Sequence, residues 1–140
     1  MKIHTRHLSE TEMLGKRIAE VLHPGDVLDL RGELGAGKTA LTKAIVAALG
    51  GEASSPSFAI VNRYETEPVI YHCDFYRLED ETELEDLDYE RFLYPEDAVA
   101  ILEWSEHIGS YLPEGVLRIE VTNTGEEHSY LLPEELEERL

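Results

Sequence analysis

The chain has 140 residues, 42% of them hydrophobic, enough for one buried core and too few for a second domain. Thirty Asp and Glu against 12 Lys and Arg leave a formal charge of -18, which repels nucleic-acid phosphates at long range and argues against direct DNA or RNA capture by the chain alone. Such a surplus of acid serves solubility, the alternative being a face built for docking.

Cys73 is the single cysteine, which excludes an internal disulfide and a cysteine-based metal cluster. Residues 1–8 interleave Lys2, His4, Arg6 and His7 with isolated apolar side chains, unlike the continuous apolar stretch of a secretory signal. No later stretch is long or apolar enough to span a bilayer, so a cytoplasmic protein without membrane contact is expected.

In chain order, Ser9 with Glu12 has the spacing of a capping box. Leu14, Ile18, Val21 and Leu22 then mark one face of a helix ending near His23-Pro24-Gly25. Residues 26–31 form a short strand, and Gly32 to Thr39, GELGAGKT, follow it. These eight meet the P-loop pattern G-x-x-x-x-G-K-[ST] at every fixed position. Residues 40–49 carry Leu41, Ala44, Ile45, Ala48 and Leu49 at helical spacing, and Gly50-Gly51 stops that helix. Strand, glycine loop and helix in this order are the context the motif requires.

Residues 58–64 and 69–74 are two strands whose connection, residues 65–68, suggests a hairpin. Residues 78–87 are acidic, with Asp80 and Glu83 as a second cap and Leu84 and Leu87 as apolar anchors, which predicts a short exposed helix. Residues 98–102 are a continuous apolar run, as in a strand covered on both faces. Leu117, Ile119 and Val121 alternate with Arg118, Glu120 and Thr122. After Asn123-Thr124-Gly125 a second strand through residues 130–132 returns as an antiparallel edge. Residues 133–140 are mostly glutamate and are expected to fray as a helix or tail. The alternation of helix and strand patterns predicts an α/β fold, a mostly parallel P-loop sheet flanked by helices and extended by antiparallel strands, in one domain spanning residues 1–140.

The P-loop predicts a phosphate site. Gly32, Gly35 and Gly37 let the backbone curl so that successive N–H groups of residues 33–40 (Glu33, Leu34, Gly35, Ala36, Gly37, Lys38, Thr39, Ala40) turn inward. Lys38 adds a positive charge, Thr39 places a hydroxyl where a Mg²⁺ bridging two phosphates is held, and the following helix aims its positive end at the same spot. Hydrolysis also needs a carboxylate at the metal and an oriented water. Asp74 ends one strand in a Walker B-like arrangement and Glu103 ends the apolar strand, and in an open α/β sheet ligands gather at those carboxyl ends. Lys38, Asp74 and Glu103 are therefore the candidate catalytic residues, and Thr39, Glu103 and Asp74 the candidate metal ligands. His72 shares a strand face with Asp74 but reads as a hydrogen-bonded core residue. Trp104 is a candidate for stacking on the base or for filling core volume. Arg77 is better read as pairing with a glutamate than as an arginine finger.

Several strings also line up in order with one family. GELGAGKT at Gly32 to Thr39, SPSF at Ser55 to Phe58, HCDFYRL at His72 to Leu78 and EW at Glu103-Trp104, with Ser9-Glu10-Thr11 ahead of the first helix, resemble the bacterial TsaE (formerly YjeE) ATPases of tRNA threonylcarbamoyladenosine synthesis. The resemblance implies that Lys38 and Thr39 hold ATP phosphates and Mg²⁺, that Asp74 acts through metal or water, and that Glu103 completes the magnesium site. It further implies that Ser55, Pro56, Ser57 and Phe58 form a switch loop sensing the γ-phosphate, and that Ser9, Thr11 and Gly125 border the base. The implied partner is the TsaD–TsaB heterodimer, which ATP binding or hydrolysis resets, with tRNA reached only through that complex. Three positions depart from the family's usual pattern: Ser57 for threonine, Asp88 for glycine and Ser105 for proline. A small P-loop kinase and a nucleotide-gated binding module with negligible hydrolysis are the alternatives that the loop alone leaves open. The chain lacks the N-K-x-D string with which many GTPases read guanine.

Overall fold

A computed structural model describes residues 1–51 and 60–140, so the expected switch loop, Ser55 to Phe58, lies outside the described residues. Seven strands form one sheet: β1 (Lys2–Thr5), β2 (Val27–Arg31), β3 (Val61–Tyr64), β4 (Val69–Asp74), β5 (Ala98–Glu103), β6 (Leu117–Asn123) and β7 (His128–Leu131). Their spatial order is β1-β7-β6-β2-β5-β4-β3. The four central strands β6, β2, β5 and β4 are parallel, while β3, β7 and β1 pair antiparallel at the flanks. The α/β class and the P-loop context between β2 and the next helix are as the sequence indicates.

Central position explains the apolar run in β5. All six of its residues are buried, because β2 and β4 flank it and both sheet faces are covered. On one face Leu28, Leu30, Ile70, Val99 and Ile101 pack against Leu14 and Ile18 of α1 (Leu8–Val21) and Leu41 and Ile45 of α2 (Lys38–Ala48). The other face gathers Tyr71, Cys73, Ala100 and Leu102 beneath Leu84, Phe92 of α3 (Tyr89–Leu93), and Ile108. The two helices of the first face touch closely at Gly15, where an added Cβ would stand 2.4 Å from the Ala44 Cβ.

Four expectations change. The α1 cap is His7, not Ser9: the Glu10 carboxylate accepts from the main-chain N–H groups of Arg6 at 2.9 Å and His7 at 3.1 Å. Those two bonds hold the Glu10 carboxyl below its usual range. The acidic segment does carry its Asp80/Glu83 capping box but forms a 3₁₀ helix, Glu81–Asp86, with Leu84 buried and Leu87 exposed. The sheet edge on the β7 side is β1, a strand of four mixed residues too short to signal itself. Finally, the glutamate-rich end is a helix tied to the body of the fold. It is α4 (Glu134–Arg139), with Leu136 in the core and Arg139 held by the Asp26 carboxylate at 2.7 and 3.2 Å.

Candidate functional site

The loop Gly32 to Thr39 joins the carboxyl end of β2 to the first turn of α2. Gly35 and Gly37 take φ values of +80° and +117°, a region open to glycine and costly to other residues. Gly37 is required for a second reason: a Cβ there would lie 2.9 Å from the His128 Nδ1. That imidazole donates from Nδ1 to the Ala36 carbonyl at 2.7 Å. In a planar trans peptide the N–H points opposite to the C=O, so the same bond turns the Gly37 N–H away from the hairpin and into the bowl of the loop. Asn123 donates to the Gly35 carbonyl at 3.2 Å. The β6–β7 hairpin therefore holds the loop by its carbonyls and leaves amides for a ligand.

Lys38 opens α2 and is 5% exposed. Its ammonium donates to the Gly32 carbonyl at 2.7 Å and lies 3.8 Å from the centre of the Trp104 ring. Burial pushes its pKa below the ordinary lysine value, while the carboxylates Glu103, Glu106 and Asp74 work in the opposite direction. A desolvated cation at the mouth of an amide bowl favours an anion there.

Glu103 is 3% exposed and has both oxygens engaged. Oε1 accepts from the Thr39 hydroxyl at 3.4 Å, and Oε2 accepts from His72 Nε2 at 2.5 Å. Asp74 is Glu103's register partner on the adjacent parallel strand, is half-buried, and accepts from the Tyr76 N–H at 3.0 Å. Thus Lys38, Thr39, Asp74 and Glu103 converge at the carboxyl ends of β2, β4 and β5. Hydroxyl and carboxylate oxygens are the hard donors that Mg²⁺ prefers, so the set fits that ion. Among the described residues no cluster of three or more acidic, histidine or cysteine side chains forms a metal cage. A magnesium shared with phosphates and water does not require one.

The corner after Glu103 has its own support. Trp104 adopts φ 58°, the single positive φ of a non-glycine among the described residues. The next residue, buried Ser105, donates to Asp29 Oδ1 at 2.5 Å, while Asp29 Oδ2 accepts from Arg31 at 3.1 Å and Arg118 at 3.0 Å. Ser105, the departure from proline, thus ties the strained corner to a fully buried carboxylate on β2. Asp88, the departure from glycine, has φ -78° and needs no glycine.

Of the two readings of Trp104, core filling matches its packing against the core on the second sheet face. The ring covers Lys38 and contacts Tyr76 at 4.9 Å and His107 at 5.7 Å between ring centres, which places it at the phosphate end of the loop. Gly125 instead lines, with Glu33, Leu34, Ala36 and Asn123, a cavity of about 740 Å³ between the loop and the hairpin. Thr11 turns inward to the Thr5 hydroxyl at 3.1 Å and Ser9 is exposed. The α1 residues that share a groove of about 750 Å³ with Thr39 and Ala40 are Leu8, Glu12 and Lys16. Helical periodicity explains the difference, since positions 8 and 12 share a face that 9 and 11 leave. His72, Asn123 and His128 also hold groups of the site. For His72 the strand alternation with Asp74 was a usable signal, and for the hairpin residues pairing with the loop is purely tertiary.

A glycine loop between a parallel central strand and a helix, with a buried lysine and strand-end acids around it, defines a P-loop nucleotide-binding protein. Comparison with known proteins narrows the class. The family model described as "Threonylcarbamoyl adenosine biosynthesis protein TsaE" matches residues 5–130, and the chain belongs to that family. It is 37% identical over 130 residues to the tRNA threonylcarbamoyladenosine biosynthesis protein TsaE of Bacillus subtilis, covering 91% of this chain and 80% of that one. With the protein of the same name from Streptomyces coelicolor it shares 40% identity over 114 residues, covering 77% and 76%. The crystal structure of Bacillus subtilis YdiB superposes with a TM-score of 0.78 at 30% identity, covering 99% of this chain and 89% of that one.

Proposed function

We propose that this chain is a Mg²⁺-dependent ATPase that serves tRNA threonylcarbamoyladenosine formation as an accessory subunit of the TsaD–TsaB heterodimer. Family membership and the names of the relatives support the pathway. The observation that carries the chemistry is the meeting of Lys38, Thr39 and buried Glu103 at one P-loop. A bound Mg-ATP would supply a polyphosphate and a divalent charge, with Thr39 and Glu103 as the residues that would hold the metal and Asp74 the one that would act on metal or water. Lys38, which donates to the Gly32 carbonyl, would meet a phosphate oxygen, and the N–H groups of residues 33–40 would cradle the rest. His72 keeps one Glu103 oxygen fixed so that the other stays beside the Thr39 hydroxyl.

The formal charge of -18 fits a subunit that docks on a basic protein face and reaches tRNA only through the complex. In this reading the protein is a single cytoplasmic domain, and among its described residues no helix is long and apolar enough to cross a membrane. ATP turnover resets the TsaD–TsaB complex between modification cycles. Lys38→Ala is expected to abolish Mg-ATP binding and hydrolysis, measured with and without TsaD–TsaB, and to stop multi-turnover tRNA modification. Full multi-turnover modification by that variant would refute the role.

A further inference from the structure

The β6–β7 hairpin carries one group that the function above does not use. Tyr130 is fully buried on β7, and its hydroxyl is the buried side-chain polar atom without a hydrogen-bond partner among the described residues. Such an atom forgoes its water bonds with no return, and native structures rarely keep one without a use. Its position suggests the use. The hydroxyl oxygen lies 3.4 Å from where a Gly37 Cβ would stand, against the last glycine before Lys38.

Two residues earlier on the same strand, and therefore on the same face, His128 already grips the Ala36 carbonyl at 2.7 Å. The Ala36–Gly37 peptide thus has two polar side chains of β7 behind it, one engaged and one idle. In the same loop the Lys38 ammonium donates to the Gly32 carbonyl. An anion seated on the Gly37 N–H would load this peptide, and the buried donor behind it without a partner among the described residues is the Tyr130 hydroxyl.

We propose that Tyr130 is a positioning residue of the phosphate loop, its hydroxyl bonding the Ala36–Gly37 main chain when a nucleoside polyphosphate is seated. His128 is the fixed half of this clasp and Tyr130 the half that closes. The inference rests on the nucleotide-binding reading above. It assigns part of the nucleotide affinity to a strand remote in sequence from the P-loop motif.

The test compares empty and loaded protein. Tyr130→Phe removes only the oxygen, so the empty variant should unfold at the same temperature as the parent or higher. Its calorimetric affinity for Mg-ATP should fall about five- to tenfold, the worth of one neutral hydrogen bond. An unchanged affinity, or an empty variant that unfolds earlier, overturns the proposal. If the parent itself takes up no Mg-ATP, the functional reading fails and takes this one with it, whereas parent binding with an indifferent variant sinks Tyr130 alone. Should the variant fold poorly, the intact protein labelled at tyrosine ¹³Cζ decides the matter. The Tyr130 resonance moves on adding Mg-ATP if the hydroxyl gains an acceptor, and a stationary resonance refutes it.

Discussion

The two walls around the phosphate loop are built on opposite principles. The front wall, at the ends of β4 and β5, is charged: Glu103 and Asp74 face Lys38, and the Trp104 ring covers its ammonium. The rear wall, the β6–β7 hairpin, meets the loop with neutral groups, Asn123 and His128 on main-chain carbonyls and Tyr130 beside Gly37. Charges placed at the strand ends can act on a reacting phosphate and its metal, because electrostatic stabilisation grows where water is excluded. Donors aimed at carbonyls can only set the shape of the loop. The front wall should therefore govern turnover and the rear wall affinity.

That division can be broken at either wall. The largest effect is expected from Glu103→Gln, which keeps the shape and removes the charge beside Thr39. The hydrolysis rate should fall about 100-fold or more while Mg-ATP affinity changes far less. Steady-state kinetics with calorimetry reads the split, and a loss of affinity larger than the loss of rate would erase the distinction. Next comes Gly37→Ala at the rear wall. Positive φ and a Cβ 2.9 Å from His128 together cost about 1–3 kcal/mol, so affinity should drop about ten- to a hundredfold, and an alanine variant binding normally would show that the hairpin does not constrain the loop.

The smallest effect sharpens the front wall from beneath. Ser105→Ala frees one oxygen of Asp29, which keeps its two arginines, so denaturant unfolding should show a loss of about 1–2 kcal/mol. Because Trp104 is the single tryptophan and occupies the strained corner next to Ser105, its fluorescence reports the same change. Unaltered stability and emission would mean that Asp29 does not hold the corner.

The front wall was largely legible in the chain and the rear wall was not. Lys38 and Thr39 follow from a contiguous motif, and Asp74 and Glu103 from being acids at the ends of apolar strands, both local patterns. Trp104 reads in the sequence as a base platform or as core filling, and it packs against the core on the second sheet face. Its place over Lys38 depends on the left-handed corner held by Asp29, 76 residues away from Ser105 in sequence. Ser9 and Thr11 were placed by position in the chain, whereas the rotation of α1 on α2 turns Leu8, Glu12 and Lys16 to the groove shared with Thr39 and Ala40 instead. The glutamate-rich end reads in the sequence as a fraying helix or tail because its two anchors, Leu136 and Arg139, find the core and Asp26 only once the fold exists.

By itself the sequence determined the α/β class, the phosphate loop with its lysine and threonine, the acids at the ends of strands and the membership in a family. Each of these is written in spacings of a few residues, where backbone geometry and periodicity act directly. Only the tertiary structure decided that β7 lies between β1 and β6, with Asn123, His128 and Tyr130 behind the loop, and that Glu103 is buried between Thr39 and His72. The contacts at the loop and at Glu103 join residues 31 to 93 positions apart and the β1–β7 pairs residues 123 to 129 apart, and such pairings are settled by how the whole sheet packs.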